Sequence, residues 1–216
     1  MTHTGIIIVG AGGHAAVVAD ALLAAGMHVL GFVDNDASTQ GRELCGLRVL
    51  GDDAALAGHD PLRCALANGL GGTKGEGLRA AVQSRLETAG WHFVTVRHPG
   101  ATVSAFAKLG PGVQLMANSV VQAGAILGPG CIVNTAAVVE HDVKLGPYVH
   151  VACNATVCGG VTVGGHSHVG AAAVIRQGVR LGEGTVVGAG AVVVGDFQGG
   201  GTLTGVPARP MNKRAA

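Results

Sequence analysis

From residue 103 onward an aliphatic side chain falls at every sixth position: Val103, Leu109, Leu115, Val121, Leu127, Val133, Val139, Leu145, Val151, Val157, Val163, Val169, Ile175, Leu181, Val187 and Val193. All sixteen are Val, Leu or Ile, without an insertion. Two places before each later member stands a small or β-branched residue, from Ala107 and Val113 through to Ala191, and glycine directly follows many of the aliphatics, as at Gly110, Gly128 and Gly146. An amphipathic helix repeats its apolar stripe about every 3.6 residues, so a period of six excludes one. Short strands with alternating inward side chains, separated by tight corners, produce it: the pattern predicts a β-helix.

The first hundred or so residues follow another pattern. Gly5–Val9 is a continuous apolar run that predicts a buried strand, followed by the glycine-rich Gly10-Ala11-Gly12-Gly13-His14 and a helix over Ala15–Ala25 stopped by Gly26. Further strands are expected over His28–Val33, Arg63–Ala67 and Trp91–Val96, with a helix over Glu76–Ala89 closed by Gly90. Strand, glycine loop, helix and strand make a βαβ unit, hence a small parallel α/β domain, and His98-Pro99 marks its end. Gly10–Ala15 also satisfies G-x-G-x-x-A, with Asp34 near the spacing of a ribose-binding acid. That pattern alone suggests a dinucleotide-dependent dehydrogenase. The segment before the repeat, however, holds only about one mononucleotide-binding half, so a nucleoside diphosphate is the better ligand for the amides at the helix start. A tight turn with no ligand is the other reading.

Composition narrows the classes. The chain has 216 residues, 38 of them glycine, with 12% charged residues, 3% aromatic residues and a formal net charge of +1. Near-neutral charge without Lys/Arg runs argues against nucleic acid or an anionic membrane surface as partner. Mean hydropathy is +0.45, yet no stretch reaches the roughly 18–20 apolar residues of a spanning helix. The first ten residues lack the basic segment of a secretory leader. Five cysteines without paired spacing suit reduced thiols, so a cytoplasmic location is expected.

The hexads resemble those of hexapeptide-repeat acyltransferases, and that resemblance implies a three-sided, left-handed prism with 18 residues per coil. Residues 18 apart then stack at about 4.8 Å. On that frame His141, flanked by Glu140 and Asp142, lies beneath Gly159 and above Ala123. A histidine beside a carboxylate, with a glycine amide one coil away, suits acyl transfer to an amine. The imidazole takes the proton, Asp142 orients the ring, and the amide steadies the oxyanion. A solvated corner histidine is the alternative. His150 falls under His168, as a groove wall or as metal ligands. Zinc on the γ-type carbonic anhydrase pattern needs ligands five apart in sequence; the gaps here, from 141 to 150 and from 166 to 168, do not match, so no metal is expected. Cys153 and Cys158 are candidate nucleophiles, although direct attack on a thioester requires neither.

Taken with the repeat, three sequence features resemble the left-handed β-helix sugar-nucleotide acetyltransferases of the sialic-acid O-acetyltransferase type. They are Asn134-Thr-Ala-Ala-Val-Val-Glu-His141-Asp142, His150 nine residues later, and Gly205-Val-Pro-Ala-Arg209. The resemblance covers essentially the whole chain and is strongest to members acting on GDP-perosamine. It implies an α/β N-terminal domain with a parallel sheet, Rossmann-like and binding a nucleotide sugar, over 1–98. A left-handed parallel β-helix of hexapeptide repeats that binds acetyl-CoA, with a C-terminal tail, would follow over 99–216. Acetyl-CoA is the implied co-substrate, and a homotrimer with active sites between subunits the implied assembly, working in surface-polysaccharide synthesis. By the same resemblance His141 is the base, Asp142 its partner and Gly159 the amide donor. His150, Ala171 and Ala189 line the acetyl-CoA groove with Gly159, and Gly12, Gly13, His14, Asp34, Asn35 and Asn68 contact the nucleotide sugar. The stretch Ala67–Lys74 is longer and more glycine-rich than the family's usual loop, which is compatible with guanine as the base; a UDP-linked amino sugar and sugar O-acetylation are the alternatives.

Overall fold

The computed structural model describes residues 4–71 and 76–211, so Gly72, Thr73 and Lys74 of the glycine-rich stretch lie outside the described residues. The chain divides into two compact units, Met1–Pro99 and Gly100–Ala216.

The first unit contains strands β1 (Gly5–Val9), β2 (Val29–Val33), β3 (Glu43–Leu44), β4 (Leu47–Gly51) and β5 (Cys64–Asn68), with helices α1 (Gly13–Ala24) and α2 (Glu76–Thr88). The sheet order is β3-β4-β2-β1-β5, parallel throughout except for the β3–β4 hairpin. β1 lies inside the sheet between β2 and β5 and is buried along its whole length, which is why it reads as an unbroken apolar run. Gly26, at φ +70, ends the first helix: its N–H donates to Leu23, and that of Met27 donates to Leu22. Ile7, Val9, Val33 and Leu66 pack on one face of the sheet with Leu56 and Leu86.

One sequence expectation changes here, and one element is added. Trp91–Val96 is not a continuous strand: only Val96–Arg97 is extended in a ladder, and Phe93 makes a single parallel bridge to Leu66. The pairing is confined to that bridge, with Leu66 N–H donating to the His92 carbonyl and Val94 N–H to the Leu66 carbonyl, while Trp91 and Phe93 enter the core. The β3–β4 hairpin was not anticipated; its turn is Cys45-Gly46, both residues at positive φ.

The second unit is a left-handed parallel β-helix. Its strands are two residues long, run from Thr102–Val103 to Val192–Val193, and each ends on one of the periodic aliphatics. One face holds the six strands ending at Val103, Val121, Val139, Val157, Ile175 and Val193; the next holds the five ending at Leu109, Leu127, Leu145, Val163 and Leu181. The third carries those ending at Leu115, Val133, Val151, Val169 and Val187. Partners across the ladders that join these two-residue strands lie 18 residues apart, as Val120 with Val138 and His150 with His168; the last turn is shorter, Val186 pairing with Thr202. Each coil hangs from the next by backbone bonds, for example from Val120 N–H to the Ala137 carbonyl and from Val138 N–H to the Ala155 carbonyl, both at 2.9 Å.

The inward aliphatics and the small residues two places before them form one continuous core. Only the opening members, Val103 and Leu109, stay partly exposed at the end of the prism. Gly110, Gly128, Gly146, Gly164 and Gly182 fall in one column, where an added Cβ would strike the backbone of the following coil. At the corners several non-glycine residues adopt the left-handed conformation, among them Ala136 at φ +55 and Asp142 at φ +59.

These features predict opposite effects of side-chain removal at two positions, one in the core and one at a corner. Truncating the fully buried Ile175 to Ala should destabilise by about 2–5 kcal/mol. Ala136→Gly relieves a left-handed alanine and should be neutral or stabilising by up to about 1 kcal/mol. Urea unfolding of the two variants checks both.

Candidate active site

In the β-helix, the corner following the strand Val138–Val139 presents His141 and Asp142 to solvent, their side chains 56% and 72% exposed. Asp142 Oδ2 lies 2.9 Å from His141 Nδ1, which leaves Nε2 as the outward-acting nitrogen. The left-handed backbone at Asp142 turns its carboxylate back onto the imidazole of the preceding residue. Its N–H is held by the Ala123 carbonyl at 3.1 Å, and the N–H of His141 meets Glu140 Oε2 at 3.3 Å. One coil above, Gly160 N–H donates to the His141 carbonyl at 2.9 Å.

Two glycines make room for this pair. A Cβ on Gly159 would collide with Nε2 and Cε1 of His141, and one on Gly124 would collide with the carboxylate of Asp142. Gly159 is therefore brought against the imidazole, as the column arithmetic predicts. Gly124 was missed, although subtracting 18 from 142 finds it. The arrangement is that of a carboxylate-oriented imidazole able to accept a proton through Nε2.

The other β-helix candidates sit elsewhere on the prism. Ala171 and Ala189 are exposed and stacked, with Gly190 N–H donating to the Ala171 carbonyl at 2.8 Å, at the corner on the opposite side of the Val138 face from His141. Cys153 belongs to that same column. His150 lies on another face, 5% exposed, its ring 4.9 Å from that of His168 in an edge-to-face arrangement and its Nε2 3.2 Å from Asn134 Nδ2. Among the described residues no group of three or more His, Cys, Asp or Glu side chains is arranged to hold a metal ion.

In the first unit the predicted residues gather at the carboxyl ends of β1, β2 and β5, the side where open α/β sheets bind ligands. Gly12 precedes and Gly13 opens α1, and nothing crowds either Cα. The ring of His14 packs over Gly71, where a Cβ would come within 2.6 Å of it. Gly69 likewise allows the loop after β5 to close onto Ile8 and Ala15. Asp34 holds the glycine turn: its Oδ2 accepts from Ala11 N–H at 2.6 Å and its Oδ1 from Asp36 N–H at 2.9 Å. The backbone amide of Ser38, and then its hydroxyl, keep the Asp36 carboxyl below the usual carboxylate range. Asn35 Oδ1 accepts from Asp53 N–H at 3.0 Å. Asn68 is buried and turned inward, bonding Arg79 and Gln83 of α2 and the Leu70 N–H.

A cleft of about 190 Å³ opens beside this turn. Its walls are Val9, Val33, Leu70, Leu78 and Val82; its polar rim is Asp34, Asn35, Asp53 and Arg85, the last two forming an ion pair. Asp53 and Arg85 escaped the sequence reading because no local motif joins residues 32 positions apart.

Comparison with known proteins places the chain. Residues 5–69 match the family model described as PglD N-terminal domain. The acetyltransferase domain of PglB from Neisseria gonorrhoeae, solved in complex with acetyl coenzyme A, is 36% identical with a TM-score of 0.89, covering 97% of this chain and 100% of that one. A mutant of perosamine N-acetyltransferase from Caulobacter crescentus, in complex with CoA and GDP-perosamine, is 36% identical with a TM-score of 0.90, covering 97% of each chain. WeeI from Acinetobacter baumannii, at 24% identity and a TM-score of 0.82 over 95% of this chain and 99% of that one, shares the fold. No curated protein sequence matches the chain. With the histidine–carboxylate corner and the α/β unit in place, identity at this level over nearly the full length shows that the chain belongs to the left-handed β-helix sugar-nucleotide acetyltransferase family.

Proposed function

We propose that the protein transfers the acetyl group of acetyl-CoA to the 4-amino group of a nucleotide-linked 4-amino-4,6-dideoxy sugar, with GDP-perosamine as the acceptor. The observation that carries this reading is the His141–Asp142 pair seated against Gly159. His141 Nε2 takes a proton from the amine as nitrogen attacks the thioester carbonyl. Asp142 holds the ring and stabilises the imidazolium that forms, and the Gly159 amide donates to the oxyanion. Collapse of the tetrahedral intermediate expels the CoA thiolate, which recovers a proton, and leaves an amide on the sugar. His150, Ala171 and Ala189 serve the acetyl-CoA groove in this reading. Gly12, Gly13, His14, Asp34 and Asn35 serve the nucleotide sugar, and Asn68 acts by holding the β5 loop in place.

Further support comes from the relatives, whose structures hold acetyl coenzyme A in one case and CoA with GDP-perosamine in the other. The outward positions Val120, Val138, Thr156, Val174 and Val192 form an uncharged stripe between the His141 corner and the Ala171 corner. Such a stripe suits packing against further copies, in keeping with a homotrimer whose active sites lie between subunits. Acetyl-CoA and nucleotide sugars are both cytoplasmic metabolites, so the protein works there, supplying surface-polysaccharide synthesis.

Free-thiol release from acetyl-CoA, with GDP-perosamine and a UDP-4-amino-4,6-dideoxy sugar as parallel acceptors, tests the reading. Turnover with the GDP sugar is expected. Turnover with the UDP sugar alone would reassign the acceptor, and thiol release with neither would remove the proposed activity. Gly159→Ala should lower kcat at least about tenfold by displacing the imidazole, while the folded state is retained. Thermal melting together with steady-state kinetics checks that outcome.

A further inference from the structure

The two corners that flank the Val138 face carry backbone amides with nothing in the fold to donate to. From Gly130 to Gly190 the second residue of every corner donates to the coil below, as Asp142 to Ala123, Gly160 to His141 and Ala172 to Cys153. The first residue of each corner has no such acceptor. Among the described residues, the N–H groups of Ala123, Gly159 and Gln177 at the His141 corner, and of Cys153, Ala171 and Ala189 at the Ala171 corner, make no hydrogen bond within the protein. At the third corner the equivalent positions in three coils are Pro111, Pro129 and Pro147, which have no N–H. Two amides break the pattern, and both belong to the coil that holds His141. The N–H of His141 donates to Glu140 Oε2 at 3.3 Å, and that of Thr135 donates to Asn134 Oδ1 at 2.8 Å. In each case the acceptor is the side chain of the preceding residue.

Resting on the function proposed above, we propose that Glu140, with Asn134 in the same coil, sets the register in which the acyl-CoA arm docks along these amides. The arm carries a thioester carbonyl and two amide carbonyls, all of them acceptors for a corner N–H. Amides that recur at about 4.8 Å, coil after coil, form a ladder with no register of its own, because a slip by one coil exchanges each donor for an equivalent one. A slip toward the N-terminal end of the prism moves the thioester carbonyl from the Gly159 N–H to that of His141. The reacting carbon then lies about 4.8 Å from its place beside Nε2, too far for an amine to meet both. The Glu140 carboxylate closes the His141 N–H, and its charge repels an oxyanion forming there. With Thr135 closed by Asn134 at the other corner, the lower register lacks a donor on both sides of the Val138 face. Glu140 is therefore a positioning residue: it touches no reacting atom and acts by occupying one donor.

Thiol-release kinetics of the full-length protein, with acetyl-CoA varied at a saturating level of whichever acceptor wild type turns over, GDP-perosamine or the UDP sugar, test the assignment together with calorimetry of acetyl-CoA alone. Glu140→Ala opens the lower register, so part of the bound acetyl-CoA is held where it cannot react. kcat and the KM for acetyl-CoA should then fall together by about two- to fivefold, with kcat/KM nearly unchanged, and the calorimetric affinity should rise by the same factor. Glu140→Gln keeps an acceptor oxygen and should restore most of kcat. Loss of a merely structural support would instead displace the imidazole and lower kcat and kcat/KM equally. That result, unchanged kinetics in Glu140→Ala, or a Gln variant as impaired as the Ala variant overturns the register role and leaves the acetyltransferase reading in place. Wild type that releases no thiol with either acceptor overturns that reading and this inference with it.

Discussion

The coil-to-coil register of 18 residues is the constraint on which the rest of the β-helix depends. Each two-residue strand is too short to persist alone and is held by N–H groups reaching carbonyls on the next coil, as from His150 to Ser167 and from Ala152 to Val169. The same register stacks the aliphatics into a single core. Insertion of one residue would turn the inward set of that coil outward. A column such as Gly110–Gly128–Gly146, with backbone against backbone, leaves no slack to absorb the error.

Register also builds the candidate catalytic corner. His141 and Asp142 are neighbours in sequence, but the space for their side chains comes from Gly159 above and Gly124 below, each 18 positions from the residue it accommodates. The left-handed conformation of Asp142 places strain at this corner, and the 2.9 Å contact with the imidazole depends on it. Rigid, hydrogen-bonded coils on either side hold the ring in one orientation, the condition that the proposed role of the imidazole as a base requires. In the α/β unit, Asp34 performs a comparable task by clamping the glycine turn through Ala11.

Most of the β-helix was legible because its information is periodic: one rule locates the strands, the core and the neighbour of His141. The same rule would have found Gly124. The α/β unit was legible where a signal was local, as in the apolar β1 and the Gly26 stop. It was less so where identity depends on distant partners. Trp91–Val96 looks like a strand because aromatic side chains entering a core and strand residues are equally apolar. The hairpin at Cys45-Gly46 escaped because cysteine seldom marks a turn with positive φ. Asn68 reads as a ligand contact in sequence, whereas folding gives it to α2 and the β5 loop. Asp53 and Arg85 meet only through the tertiary fold.

The role proposed for the His141 imidazole, held by Asp142, is proton acceptor for acetyl transfer. The most direct measurement is turnover of His141→Asn by thiol release with GDP-perosamine, alongside its affinity for acetyl-CoA. Loss of about 10²–10⁴-fold in kcat with acetyl-CoA binding intact is the predicted result. Near-normal turnover would contradict the account.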